Sequence, residues 1–207
     1  EGPYLLGGYS LGGLIALEMA RLLIGRGAPV AAVVMFDTYP AGLKIKKDID
    51  FPDHIWKHMV ANMFLLEGRL PEDALEGVPE ALHETRLALL LSEHGRTILP
   101  ADQVYRYLRG AFAVSAHHRE ALRRFQPSRL DGVSVLYFRA TRGLDGRPVS
   151  RAERARRTSF WQGLIERPMR VVDLDADHFE LMAARHHPVI RDEIGRLVDA
   201  APPIGVT

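Results

Sequence analysis

The 207-residue sequence contains no cysteine. Disulfide bonds, thiolate nucleophiles and thiolate zinc sites are therefore excluded, and the absence fits a cytoplasmic protein. No apolar run is long enough to span a bilayer. Neither sign of charge dominates, because 27 Lys and Arg residues stand against 26 Asp and Glu residues. A net charge of +1 gives no reason to expect nucleic acid or a membrane as a partner.

What is present is typical of one globular domain. Apolar residues make up 47% of the chain and charged residues 26%, which are ordinary values. The length suits a single domain or most of one. The sequence starts inside a regular pattern, without an initiator Met, so we expect it to be a fragment of a longer domain.

Short apolar runs predict four β-strands. Two of them, residues 30–36 and 133–138, are rich in β-branched residues and read as buried on both faces, which favours a parallel sheet. Shorter runs lie at 4–6 and 169–174. Helical patterns alternate with these strands, and the alternation predicts an α/β domain.

The middle of the chain differs from its two ends. Residues 41–130 hold no clear strand, several helix-like stretches and repeated prolines. So long a helical segment between two strands of one sheet predicts an inserted cap, not a simple crossover. The helix-like stretches within it are 55–66, 80–92 and 101–125.

The stretch Gly8-Tyr9-Ser10-Leu11-Gly12 has the spacing G-x-S-x-G. Between a strand and a helix this spacing indicates a nucleophile elbow, a turn that raises the serine hydroxyl above the sheet. We expect glycine at both flanking positions because a side chain at either would collide across the turn. The N–H of Leu11, at the start of the helix, can hold a developing oxyanion.

A glycine-rich turn that binds phosphate is the alternative interpretation. The glycines at 7, 8, 12 and 13 fit neither the dinucleotide fingerprint nor the P-loop. One residue favours the alternative, because Asp37 ends the next strand about where a ribose-binding acid would lie.

A serine nucleophile needs a base and an acid. Of nine histidines, His178 has the best position, because it follows the last strand and so lies at the same sheet edge as Ser10. For the acid, Asp37 and Asp145 both follow strands and both keep the order Ser, Asp, His. The pattern indicates no metal site.

With these residues located, the sequence resembles the type I thioesterase domains that terminate nonribosomal peptide synthetases and polyketide or hybrid synthases. That family has the α/β-hydrolase fold. It places its acid 27 residues after the serine, as Asp37 stands after Ser10, and the resemblance therefore selects Asp37. The segments that carry the resemblance are 7–13, 17–20, 36–40 and 177–188.

The resemblance implies a domain organisation. Residues 1–207 would be the C-terminal part of one thioesterase domain, with 41–130 as its helical lid. The N-terminal strands of the fold would be missing, together with the loop that supplies the second oxyanion N–H. We therefore expect an upstream segment, in the same or a separate chain, to complete the domain.

The resemblance also implies a reaction. A peptidyl or polyketidyl chain, held as a thioester on the phosphopantetheine of an upstream carrier domain, would pass to Ser10 and leave by hydrolysis or macrocyclisation. His178 would be the base, Asp37 the acid and Leu11 an oxyanion donor, with no bound cofactor. A stand-alone editing thioesterase, another serine esterase, a non-catalytic module and a nucleotide-binding domain stay open as alternatives.

Overall fold

A computed structural model of the chain describes residues 2–39, 52–65, 68–144 and 146–200. The chain divides into two compact units. The first comprises Glu1–Leu43 with Gln126–Thr207, and the second comprises Lys44–Phe125. No helix among the described residues has the length and apolar character needed to cross a membrane.

The first unit contains a four-stranded parallel sheet, as the sequence predicts. The strands lie side by side in chain order, so their carboxyl ends share one edge of the sheet. The central strands carry the runs that read as buried, and Val33, Leu136 and Phe138 are inaccessible to solvent. The strands are β1 (Tyr4–Tyr9), β2 (Val30–Phe36), β3 (Ser134–Ala140) and β4 (Arg170–Leu174).

Helices occupy most of the remaining described chain. Short 3-10 turns lie at Glu80–Leu82 and Ala184–His186. In chain order the α-helices are α1 (Leu11–Gly25), α2 (Asp53–Asn62), α3 (His83–His94), α4 (Ala101–Arg124), α5 (Arg151–Leu164) and α6 (His187–Asp199).

One core of the first unit lies between the sheet and its last helix. Val34, Leu136 and Leu174 from three neighbouring strands pack with Leu181 and with Ile190 of α6. Burial of these side chains holds the segment after β4 against the sheet, since removing apolar surface from water is the main favourable term in folding. The same segment carries His178.

The second unit has a hydrophobic core of its own, built from α2, α3 and α4. Val60, Leu87, Leu91 and Leu108 are buried in it. The predicted helix-like stretches correspond to these helices, although residues 41–51 and 66–67 of the predicted insertion lie outside the described residues. A separate core means that this unit buries its apolar faces internally.

Candidate active site

Ser10 lies in the turn between β1 and α1, with φ 56° and ψ −122°. The backbone N–H of Ser10 donates to the carbonyl of Phe36 at 2.8 Å, which ties the turn to the end of β2. Among the described non-glycine residues, only Ser10 and Asp37 have positive φ. Such strain is held in place by surrounding structure and is concentrated at functional sites.

Two glycines near Ser10 are required by crowding, but they are Gly8 and Gly13 and not the predicted pair Gly8 and Gly12. A Cβ on Gly8 would lie 2.0 Å from the backbone carbonyl of Gly12, so no side chain fits there. A Cβ on Gly12 itself would meet nothing within 4 Å, and the prediction of a collision on both sides is wrong for this residue. The second crowded position is Gly13, where a Cβ would lie 1.8 Å from the Thr38 hydroxyl. Close packing of α1 on the segment after β2 therefore needs Gly13.

Asp37 follows β2 directly and is 7% exposed. One carboxylate oxygen, Oδ1, accepts a hydrogen bond from the backbone N–H of Ala140 at 3.1 Å. The other, Oδ2, lies 2.8 Å from Nδ1 of His178. The structure therefore brings two residues that stand 141 positions apart into direct contact.

The turn that carries His178 is closed by its neighbour. Asp177, 3% exposed, accepts hydrogen bonds from the backbone N–H groups of Phe179 and Glu180 through Oδ1, at 2.8 and 3.1 Å. The ring of Phe179 also packs edge-on to the imidazole, with 5.6 Å between ring centroids. Local capping of this kind is a common function of Asp in loops. It fixes the backbone from which His178 projects.

Several effects act on the Asp37 carboxylate. Burial is the largest and by itself would raise the pKa. The hydrogen bond and charge of His178 oppose it, as do the Ala140 N–H and the Arg157 guanidinium. The pKa of Asp37 is lowered as the net result, so the carboxylate is ionised when the imidazole needs it.

Two buried aromatic side chains fix the backbone at Thr38, the residue after Asp37. The carbonyl of Thr38 accepts hydrogen bonds from the Trp161 indole at 3.2 Å and the Tyr137 hydroxyl at 3.3 Å. Both donors are buried, and burial, followed by the charge of Asp37, raises the pKa of Tyr137. Tyr137 thus remains a neutral donor, and the two aromatic residues fix the chain immediately after the acid.

One contact of the site was absent from the sequence interpretation. The ring of Tyr9 stacks on the His178 imidazole, with 4.7 Å between centroids and 24° between planes. The Tyr9 hydroxyl also donates to the backbone carbonyl of His178 at 2.5 Å. Tyr9 immediately precedes Ser10, so the serine turn and the histidine loop are in contact.

Of the two remaining predicted residues, Leu11 can be located and Asp145 cannot. Leu11 is the first residue of α1, where a backbone N–H has no acceptor within the helix. Asp145, the alternative acid, lies outside the described residues. Among the described residues, no group of three His, Asp or Glu side chains could hold a metal ion.

Comparison with known proteins relates the chain to thioesterases and to multidomain synthases. The family model described as thioesterase domain matches residues 1–197. Thioesterase pytI of Aspergillus terreus is 54% identical over 38 residues, which are 18% of this chain and 12% of pytI. Orsellinic acid synthase ArmB of Armillaria ostoyae is 28% identical over 190 residues, which are 89% of this chain and 7% of ArmB. The chain thus spans a small part of the curated relatives that it matches.

Solved structures show the same fold. The structure of holo-AB3403, a four-domain nonribosomal peptide synthetase, superposes with a TM-score of 0.69 at 21% identity, covering 95% of this chain and 14% of that one. The Vlm2 thioesterase domain with a bound dodecadepsipeptide gives a TM-score of 0.60 at 20% identity, covering 93% and 65%. These likenesses confirm the predicted α/β-hydrolase fold.

Proposed function

Since the chain belongs to the thioesterase domain family, we propose that it releases a peptidyl or polyketidyl chain from the phosphopantetheine thioester of a carrier domain. The release passes through an acyl ester on Ser10. The observation that carries the proposal is the contact between Asp37 and His178 at the sheet edge where Ser10 is held in a strained turn.

In the proposed first step, Nε2 of His178 takes the proton of the Ser10 hydroxyl as Oγ attacks the thioester carbonyl. The Oγ–C bond forms, and the carbonyl oxygen gains charge. Asp37 accepts the hydrogen bond from Nδ1, which fixes the imidazole tautomer and stabilises the charged ring. The low pKa of Asp37 supports this role because the group must stay ionised.

The oxyanion is stabilised by the N–H of Leu11 at the start of α1. A second donor comes, in this proposal, from the upstream segment of the domain. The tetrahedral intermediate then collapses, the C–S bond breaks, and the proton on His178 passes to the departing pantetheine thiolate. The acyl chain is left as an ester on Ser10.

The second half of the reaction repeats the first with a new nucleophile. His178 takes a proton from water, which gives hydrolysis, or from an amine or hydroxyl of the acyl chain, which gives a macrocycle. The bond between the acyl carbon and Oγ of Ser10 then breaks, and the proton on His178 returns to Oγ. We assign 41–130 to a helical lid over this step. The proposal of a separate helical segment is supported by the internal core of the second unit.

The carrier domain is the proposed partner because the relatives are multidomain enzymes. The matched segments are 2% of polyketide synthase PksR of Bacillus subtilis and 7% of ArmB. A domain of this kind receives its substrate from a neighbour on the same or an associated chain.

Mass spectrometry of the natural protein, intact and after proteolytic digestion, tests this proposal once the protein has been exposed to acyl-pantetheine thioesters. We expect an acyl adduct on the peptide that contains Ser10. Ser10→Ala should lose the adduct and reduce product release by about 10⁴-fold or more. Ser159→Ala, at an exposed position of α5, is the matched control and should behave as wild type. Release by Ser10→Ala at a near wild-type rate would refute the acyl-enzyme.

A further inference from the structure

We infer that Tyr9 is a positioning residue that fixes the orientation of the His178 imidazole and couples it to the serine turn. This inference rests on the proposed function for its effect on rate. Its structural part, the orientation of the ring, stands on contacts alone.

Tyr9 contacts both the side chain and the backbone of His178. The two rings are stacked, with centroids 4.7 Å apart and planes inclined by 24°. The hydroxyl of the same tyrosine donates to the His178 carbonyl at 2.5 Å. A single side chain therefore limits the movement of the imidazole and of the loop that carries it.

The contact between Tyr9 and His178 joins segments that come from the two edge strands of the sheet. Tyr9 is the last residue of β1, whereas His178 follows β4, and β2 and β3 lie between those strands. His178 reaches back across the sheet edge toward Asp37 and meets Tyr9 there. Correct placement of the base therefore depends on a residue from the first strand.

The aspartate alone does not define the orientation of the ring. A hydrogen bond from Nδ1 to Asp37 fixes one atom of the imidazole, and the ring can still pivot about the line between the bonded atoms. A flat ring stacked on its face opposes that pivot, because tilting would break the stacking contact. With both contacts in place, Nε2 is held at one position.

The place of Tyr9 in the chain gives the contact a second consequence. Tyr9 immediately precedes Ser10, and the turn after it is tied to β2 by the bond from the Ser10 N–H to the Phe36 carbonyl. A displacement of the turn moves the tyrosine and the serine together. Tyr9 thereby fixes the position of the base, His178, relative to Ser10, the nucleophile that it must deprotonate.

Two substitutions separate the contacts. Tyr9→Phe keeps the stacked ring and removes the hydroxyl, whereas Tyr9→Leu removes both. Tyr107→Leu, at an exposed position on α4, is the matched control. All variants are made in the natural protein that carries this chain, and melting temperatures identify any that do not fold.

The first measurement is NMR of ¹³C-labelled histidine, with the His178 signal assigned by its absence in His178→Leu. A ring stacked on the imidazole shifts its Cε1–H signal upfield. We expect the upfield signal to persist in Tyr9→Phe and Tyr107→Leu and to move downfield in Tyr9→Leu. An unmoved signal in folded Tyr9→Leu would overturn the inference. If Tyr9→Leu does not fold, Tyr9→Phe decides through its rate.

The second measurement is the turnover of an acyl-pantetheine thioester. Misplacement of a catalytic group by about 1 Å costs on the order of 100-fold, so we expect kcat to fall about 100-fold in Tyr9→Leu with little change in KM. Tyr9→Phe should fall less, through loss of the carbonyl contact alone. Wild-type kcat in both variants would contradict the inference. If the wild type itself releases nothing, the proposed function has failed, and the NMR shifts still decide the role of Tyr9.

Discussion

Asp37 is a carboxylate in a place where burial alone would favour the neutral acid. His178, the Ala140 N–H and Arg157 reverse that preference and lower its pKa. The ionised state of Asp37 therefore depends on its contact with His178.

Removing the imidazole should expose this dependence. In His178→Leu the desolvation of Asp37 remains while its largest stabilising partner is lost, so we expect the pKa of Asp37 to rise. The measurement is the pH titration of the Asp37 ¹³Cγ signal. His118→Leu, at an exposed position on α4, is the control and should leave the Asp37 pKa unchanged.

The sign of the stability effect follows from linkage. A carboxyl group whose folded pKa is lowered contributes stability above its unfolded pKa of about 3.9, and that contribution is lost as pH falls through the folded value. The deficit in unfolding free energy of His178→Leu should therefore be fully present above the raised Asp37 pKa of the variant, and it should shrink as the pH falls from that value to the lower wild-type value. An Asp37 pKa that stays low in the variant would contradict this account.

Much of the candidate site could be predicted from the sequence at this scale. The spacing around Ser10 predicted the turn, and the ends of parallel strands predicted that Asp37 and His178 share one edge. The choice of Asp37 over Asp145 came from the family resemblance. The role of Tyr9 could not be predicted, because its contact depends on how far the loop after β4 reaches back across the sheet. The hydrogen bond from the Ala140 N–H to Asp37 could not be predicted either, because it depends on the register between β2 and β3.

At the scale of elements, the junction of β1 and α1 is tightly constrained, because Ser10 has positive φ and a Cβ on Gly8 would collide with backbone. Two glycines of this junction have opposite surroundings, since Gly8 faces backbone and Gly12 faces open space. Substituting each glycine separately therefore distinguishes the effect of crowding in the turn from the effect of replacing any glycine by alanine.

Gly8→Ala should destabilise the protein by about 3 kcal/mol or more, because a methyl group 2.0 Å from backbone atoms forces the turn to open. Gly12→Ala should stabilise it by about 0.5–1 kcal/mol, since alanine is the better helix former and finds space there. Urea unfolding measures both. Equal effects of the two substitutions would show that crowding around Gly8 does not constrain the turn.

The sequence interpretation missed α5, and the reason is physical. Its buried surface is concentrated in Trp161, so the periodic apolar pattern that reveals amphipathic helices is weak. A local signal was available. Ser150 stands three residues before Glu153, and its hydroxyl accepts the Glu153 N–H at 3.1 Å as an N-cap. Capping residues would have located this helix where hydrophobic periodicity could not.

At the scale of the whole molecule, several large apolar side chains of the first unit are exposed to solvent. α1 exposes Ile15, Met19 and Leu22, spaced so that they share one face, and β1 exposes Leu5 at 45%. Among the described strands, β1 has a neighbour on one side alone. Uncovered strand edges and large apolar patches favour association with other chains. We propose that the upstream segment expected from the family resemblance covers this surface.

The proposal predicts opposite effects of one substitution in two backgrounds. In residues 1–207 alone, Leu5→Lys together with Ile15→Lys should reduce self-association, measured by light scattering, with little loss of stability. In the natural protein, which would include the covering segment, the same pair should destabilise by several kcal/mol because two lysines would be buried. Leu89→Lys, at an exposed position in α3 of the second unit, is the control and should be neutral in both backgrounds. If residues 1–207 alone are monodisperse, unfold cooperatively and release product at the rate of the natural protein, no covering segment is needed and the proposal is wrong.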